Sequence, residues 1–371
     1  MVPEMIKPYE PEHLPPEGID WSRHVGMIGK ANAALARYDG ILEGLVNPEI
    51  LISPLITREA VLSSRIEGTQ ASMEEVLEFE ADPGSTVEAK RRSDIVEVIN
   101  YRRALRLAES RLLIDPLRIA MIKGLHAVLL ENVRGRNKAP GEIRQVQNYI
   151  GRPGEGIESA TFVPPSPDVV PGALLDWEQY LHQEEKDPLV QLAILKAQFE
   201  LIHPFLDGNG RIGRMLVPLI LYNKNLLSRP VFYISSYFEQ NREEYYEALL
   251  SVSRDLEWNH WIAFFLRAVN DQAQENCRKA RDILDLYDRM KTQMPEILHS
   301  QYAVAAIDAI FTRQIFSSAD FIRMSGIPKM SAQRLLKEMS ENDIIRVMRK
   351  SSGSRPNIYS FDRLLKITDE L

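Results

Sequence analysis

Apolar side chains recur three and four residues apart through ALARYDGILEGL, PLITREAVLSSRIEG and DIVEVINYRRALRLAESRLL, and the period holds from Trp21 to about Leu130. That spacing lays one apolar stripe along a helix and is incompatible with a strand, whose period is two. The chain is therefore read as mainly α, built from helices that must bury their stripes against one another. In DPLRIAMIKGLHAVLL, Asp115 reads as an N-cap with Pro116 at the first helical position. Residues 132–172 break the pattern. They are rich in Gly and Pro and hold two short β-like pieces, VQNYI and ATFV, so a long loop with a small β-hairpin is expected. Helices resume at about Ala173 and at Leu189, the latter ending near His203, and another starts at about Gly210. A long helical stretch from WNHWIAFFL onward is punctuated by Pro295.

At 371 residues the chain has room for two or three domains. A net charge of −7 excludes a surface that is basic throughout, leaving nucleic-acid contact to a local patch. The single cysteine, Cys277, excludes an internal disulfide framework and a Cys-rich metal site. The start, MVPEMIKPYEPEHLPPEGIDW, is acidic and Pro-rich with no apolar signal core, and no run of about 18 apolar residues occurs. A cytoplasmic location with no membrane partner is expected.

HPFLDGNGRIGR, residues 203–214, gathers a base, a carboxylate, bare backbone and two fixed cations at the mouth of an apolar helix. Gly208 and Gly210 allow positive φ and close backbone approach, and consecutive N–H groups there form an anion-binding nest reinforced by the helix dipole. Arg211 and Arg214, three apart, point to one side and match phosphate oxygens. Asp207 is placed to hold Mg²⁺ beside polyphosphate, and His203 to accept a proton near neutral pH. The set reads as phosphoryl-type chemistry. No GxxxxGK[ST] P-loop and no HExxH zinc motif occurs.

This stretch resembles the Fic-domain signature HxFx(D/E)GNGRxxR at every fixed position. RGRNKAPGEIRQVQNYIG with ATFVPPSP resembles the segment leading into that family's flap, and YISSYFEQNREEYYEAL with WIAFFL its closing helices, so the likeness covers roughly residues 40–270. The resemblance implies a Fic-type helical core with a small β-hairpin flap, and transfer of AMP from ATP, with Mg²⁺, to a hydroxyl of a target protein. By that resemblance His203 is the base and Asp207 holds Mg²⁺. Gly208, Asn209 and Gly210 form the anion hole, Arg211 meets the β-phosphate side, Arg214 meets the γ-phosphate, and Phe205 buries its ring to fix the loop. Tyr246 lies on the adenine side; some relatives carry Asn where this chain has Ser253. The flap residues Thr161, Phe162 and Val163 would pair with an extended target segment.

SSRIEG, residues 63–68, poses a second question, because Glu67 at a helix C-terminus opposes the dipole and Gly68 suits a left-handed cap. The stretch resembles the family's inhibitory motif [ST]xxxE[GN], which implies that Ser63, Glu67 and Gly68 form a brake in which Glu67 occupies Arg214 and bars the γ-phosphate.

From about residue 300 the pattern is helix, turn, helix, strand, polar loop, strand. Gly326 and Pro328 lie in the turn, Ser331 is a candidate cap, and IIRVMRK and NIYSF flank the loop SSGSRP. This looks like a winged helix-turn-helix. Residues 300–371 carry 11 Lys/Arg against 8 Asp/Glu, so DNA is a candidate partner through Lys329, Arg334, Arg349 and Lys350. Such modules also serve protein contacts, and the long helix before this one suits a homodimer. The expected divisions are 1–112, an N-terminal helical region with the inhibitory helix; 113–270, the catalytic core; and 271–371, the long helix and winged helix. The leading function is a self-inhibited protein adenylyltransferase. The alternatives are a DNA-binding regulator with a nucleotide-sensing core, removal of AMP, and transfer of another phosphate-containing group.

Overall fold

The computed structural model describes residues 7–45, 47–84, 87–133, 135–152, 154–351 and 355–369. The tip of the expected C-terminal wing, residues 352–354, lies outside them. In chain order the elements are α1 (Trp21–Glu43), α2 (Glu49–Ile66), α3 (Met73–Ala81), α4 (Ala89–Leu112), α5 (Ile119–Leu129), a 3-10 turn (Ile157–Ser159), α6 (Val170–His182), α7 (Pro188–Ile202), α8 (Asn209–Asn223), α9 (Ser235–Gln240), α10 (Arg242–Asp255), α11 (Trp258–Leu298), α12 (Ala303–Thr312), β1 (Ile315–Ser317), α13 (Ser318–Ser325), α14 (Lys329–Glu341), β2 (Arg346–Arg349), β3 (Ile358–Ser360) and α15 (Asp362–Asp369). The fold is mainly helical, as the periodicity requires. It comprises two compact units, Met1–Gly40 with Asn100–Gln274 and Ile41–Ile99 with Glu275–Leu371.

In the first unit, α7 is the core element. PLVQLAILKAQFELI is apolar on all faces, and every residue from Leu189 to Ile202 is buried. Asp187 caps it by accepting from the N–H groups of Leu189 and Val190, with Pro188 in the first turn. α6, α8 and α10 pack on α7, and α5 packs on α8. Trp177 and Trp261 are fully buried and donate their indole N–H groups to the α7 carbonyls of Leu195 and Ala193, each at 2.7 Å. Those carbonyls have a second lone pair to offer, so large rings bury here without orphaning a donor. The Pro-rich lead-in is sewn onto this unit. Leu14 N–H donates to Asp176 at 2.9 Å, Gln198 donates to the Glu12 carbonyl at 3.1 Å, and Trp258 donates to the Glu12 carboxylate at 2.6 Å.

Two expectations change in this unit. α5 starts at Ile119, not after Asp115; its N-cap, Arg118, makes no side-chain cap bond. The first donor, Ile119 N–H, goes instead to Glu178 on α6 at 2.6 Å, a cap supplied from a distant part of the chain. The expected hairpin closes on one bridge, Ile150 with Phe162. Glycines at 151, 154 and 156 loosen its tip, and Pro164 and Pro165 have no N–H with which to extend the ladder. In the second unit, Pro295 does not end α11, which continues to Leu298 at the loss of one backbone donor.

In the second unit α2 packs on α3, α12 and α15, and α3 packs on β1. The sheet has the order β1-β3-β2, all antiparallel, with Phe316 opposite Tyr359 and Tyr359 opposite Val347. Ser317 and Asp320 form a capping box at α13, Gly326 ends it at φ +64°, and α14 begins directly after Pro328. Ser331 is therefore inside α14 and is not its cap. Among the described residues, no helix is long and apolar enough to cross a membrane.

Candidate active site

The turn between α7 and α8 carries the 203–214 motif. α7 ends at Ile202, and His203 takes the left-handed C-cap position at φ +51°. A residue with a Cβ costs on the order of 1 kcal/mol there, and three backbone-directed bonds hold it. His203 N–H donates to Phe199 at 3.1 Å, its Nδ1 lies 3.2 Å from the Glu200 carbonyl, and its own carbonyl accepts from Arg144 Nε at 2.8 Å. A carbonyl can only accept, so Nδ1 carries the proton in that contact and Nε2 is left as the acceptor of the ring.

The loop closes on itself through Asn209. Its Oδ1 accepts from Phe205 N–H and its Nδ2 donates to the Phe205 carbonyl, both at 2.8 Å. The Asn209 side chain is thus a staple that closes the loop. The Phe205 ring is buried and stacks on His126 at 3.8 Å and 10°. His126 Nδ1 accepts from Gly141 N–H at 2.8 Å, which makes Nε2 the protonated nitrogen, donating to the Asp207 carbonyl at 2.8 Å.

Burial pushes the His126 ring down to about 4 from an ordinary 6.5. The unfolded chain takes up that proton near pH 6.5 and the folded chain only near 4, so stability falls as pH drops through this window. The expected loss is roughly 3 kcal/mol, one pKa unit being worth about 1.4. Urea melts at neutral pH and at about pH 4.5 should show it, and a His126→Asn variant should lack this part of the slope. An unchanged slope in that variant would remove His126 from the acid sensitivity.

Gly208 sits at φ +81° as the N-cap of α8, and a Cβ there would meet Leu129 at 3.3 Å and His126 at 3.5 Å. Glycine is required on both counts. It opens the first turn of α8, whose N–H groups at Asn209, Gly210 and Arg211 have no carbonyl four residues back within the helix. Asp207 accepts from Arg211 at 3.1 Å. Its carboxylate also presses on Gly135, where an added Cβ would lie 2.7 Å from Oδ2 and φ is +86°. Arg214 is 1% exposed. Lys196 is buried over the rings of Tyr245, Phe238 and Trp261. It pairs with Glu200 at 2.8 Å and donates to Tyr245 at 2.6 Å. Burial first, and then the Glu200 carboxylate, raise the Tyr245 hydroxyl well above its ordinary range, while the Arg214 charge pulls it down. The Glu200 carboxylate lies where a Cβ on Gly213 would stand, at 2.6 Å.

The other candidates fall elsewhere. Tyr246 on α10 is 38% exposed and has Arg242 over its ring; its neighbour Tyr245 is the one turned into the core. Thr161 is exposed, whereas Phe162 and Val163 are buried and the Val163 carbonyl accepts from Tyr9 N–H at 2.9 Å. The flap edge is therefore already taken at Val163. Ser63, Glu67 and Gly68 belong to the second unit. α2 ends in a Schellman motif, with Thr69 N–H to Ser64 and Gly68 N–H to Arg65, Gly68 at φ +90° and Glu67 at the C-cap. In the C-terminal part Arg334 pairs with Glu338 and Arg349 with Asp82, while Lys329 and Lys350 are exposed. Two of the four cations considered for DNA are thus occupied by acids of their own unit.

Sequence reasoning passed over Arg144, His126, Asn148, Gly135, Gly213 and the Lys196–Glu200–Tyr245 cluster. One signal was available. Lys196 and Glu200 are the only charged residues of α7 and stand four apart, the spacing of a helical ion pair.

Comparison with known proteins places this geometry. Residues 25–110 match the Fic/DOC family N-terminal region and residues 116–221 the Fic/DOC family itself, together just over half of the chain. The chain belongs to the Fic/DOC family and is a Fic-domain protein. It is 31% identical over 192 residues to protein adenylyltransferase fic-1 of Caenorhabditis elegans, covering 50% of this chain and 34% of that protein. It is 39% identical over 94 residues to a probable protein adenylyltransferase of Aquifex aeolicus, covering 25% of this chain and 27% of that protein. The chain thus spans about a third or less of these two relatives. Among solved structures, a Fic family protein from Desulfovibrio desulfuricans G20 superposes with a TM-score of 0.60 at 21% identity, over 94% of this chain and 98% of that one. A C. elegans Fic-1 structure gives 0.52 at 22% identity, over 73% and 74%. At these identities the structural likeness speaks for the fold.

Proposed function

We propose that the chain is a protein adenylyltransferase that moves AMP from ATP to a Ser, Thr or Tyr hydroxyl of a target protein or of itself. The observation that carries this reading is the hydrogen bonding of His203, which leaves Nε2 as the ring's proton acceptor at the mouth of the α8 nest. The target hydroxyl gives its proton to Nε2, its oxygen bonds to the α-phosphorus, the bond to the β-phosphate oxygen breaks, and pyrophosphate leaves. The first-turn N–H groups of α8 and the guanidinium of Arg211 face the charge that develops, so catalysis is positioning plus electrostatics. Arg214 receives the γ-phosphate. Tyr246 contributes at the adenine side, and the flap receives the target along the part of its edge that includes the exposed Thr161.

Mg²⁺ fits Asp207. Its carboxylate side chain is 37% exposed, and a single carboxylate with substrate phosphates and water is a normal set for this ion. Bound there, Mg²⁺ would neutralise phosphate charge. Gly135→Ala drives a Cβ into the Asp207 carboxylate, and the expected result is about a tenfold or greater loss of Mg²⁺ affinity. A Mg²⁺ titration of activity checks it; an unchanged midpoint would show that Asp207 tolerates the displacement.

The brake belongs to the same proposal. Glu67, placed at the α2 C-cap by the Schellman turn at Gly68, pairs with Arg214 and holds it from the γ-phosphate. The order α12, β1, α13, α14, β2, β3 supports reading the C-terminal part as a winged helix-turn-helix. The reaction is tested by stoichiometry. ATP labelled at the α-phosphate should leave its label on protein, ATP labelled at the γ-phosphate should not, and one pyrophosphate should appear per protein-bound AMP. Protein label from the γ position would point to phosphate transfer instead.

A further inference from the structure

We propose that Arg144 is a positioning residue that fixes the flap relative to the His203 base. The inference rests on the transferase reading above. Arg144 is 2% exposed, and its guanidinium meets backbone carbonyls alone. Nε donates to His203 at 2.8 Å, Nη2 donates to Pro165 and to Ile202 at 3.3 Å, and Nη1 reaches Val146 at 3.4 Å. Its own N–H donates to the Pro204 carbonyl at 2.9 Å.

These acceptors belong to two structures. Ile202, His203 and Pro204 are the end of α7 and the start of the catalytic loop, where carbonyls have outrun their helical donors. A cation at that helix terminus also complements the dipole. Val146 and Pro165 are the two roots of the flap, one entering and one leaving it. Pro164 and Pro165 have no N–H, so they offer this junction only acceptors, and an arginine supplies several donors in one plane. Two neighbours repeat the pattern. Asn148 donates to the Phe205 carbonyl at 3.1 Å, and Gln147 donates to the Pro164 carbonyl at 2.9 Å.

Burial alone lowers the Arg144 guanidinium to about 10, so it remains charged at neutral pH. A buried cation solvated by carbonyls is costly to keep, and an apolar side chain of similar size would fill the space at less cost. What an apolar side chain cannot do is hold both flap roots and the carbonyl of the base at fixed separations. Lysine cannot do so either, since an ammonium is a point donor without the planar fork.

The test uses the full chain with Glu67→Gly, to which Arg144→Lys or Asn148→Ala is added. Mg²⁺–ATP labelled at the α-phosphate is the probe and the protein itself the acceptor; calorimetry gives ATP affinity, and AMP released to water is counted beside AMP bound to protein. A misplaced flap should lower kcat for protein labelling by as much as about 100-fold for Arg144→Lys and about tenfold for Asn148→Ala, with ATP affinity within about twofold. The product should shift from protein-bound AMP toward free AMP. Asn148 is half-buried with one bond to lose, so it carries the test if Arg144→Lys does not fold. Labelling within about twofold of the parent, or ATP affinity falling in step with kcat, would overturn the proposal. If the Glu67→Gly parent itself labels no protein, the transferase reading fails and this inference falls with it; an active parent with equally active variants fails the inference alone.

Discussion

His203→Ala, introduced together with Glu67→Gly, is expected to lower kcat for AMP transfer by about 10²- to 10⁴-fold, the usual worth of a general base. ATP affinity should stay near that of the Glu67→Gly parent. The separation is possible because of how His203 is built in. The C-cap geometry at φ +51° is already borne by a residue with a Cβ, so alanine adds no backbone strain. The main-chain ties to Phe199 and Arg144 do not involve the ring. The ring bond to Glu200 is lost, and with it the acceptor nitrogen. A variant that kept full transfer would show that the hydroxyl proton leaves by another route.

The second large effect is expected at Glu67. Removing its charge, by Glu67→Gly or Glu67→Gln, should raise transfer by about 10- to 100-fold, the range of a coupling of 1–3 kcal/mol. In the proposed brake the carboxylate and the γ-phosphate compete for one guanidinium, and an anion already in place would leave the triphosphate misaligned. The gain should therefore appear in kcat, and saturating ATP should not reproduce it. The carboxylate opposes the α2 dipole, but in the proposed brake its removal also unpairs the buried Arg214, so the melting temperature of each variant is measured beside its activity and transfer is compared where all are folded. Glu67→Asp keeps the charge on a shorter arm and separates reach from charge. Equal activity before and after all three substitutions would sink the brake.

What could be read in the sequence was local. The helix that ends near His203 and the next that starts by Gly210 were visible because their cap, turn and glycine signals lie within a dozen residues. The same holds for the end of α2, where Gly68 alone announces the left-handed turn. What escaped reading depends on partners far along the chain. The start of α5 moved because its cap is Glu178, and no pattern near Asp115 carries that information. His126 and Arg144 read as ordinary helix and loop residues, yet both are spent on motif-loop carbonyls, Asp207 for one and Ile202 and His203 for the other. The hairpin shrank to one bridge because its glycines and prolines outweighed two short apolar runs. Counting cations in the C-terminal part missed their acidic partners, since Asp82, distant in sequence, takes up Arg349.

The most direct measurement is protein-bound label after incubation with Mg²⁺ and α-labelled ATP, compared for the wild type, Glu67→Gly, and Glu67→Gly with His203→Ala. Weak label in the wild type, strong label in Glu67→Gly and none in the double variant is the predicted result, and it ties donor, brake and base to one site. No label on any of the three, with or without cell lysate as a source of acceptors, would contradict AMP transfer; label that persists without His203 would contradict its role as the base.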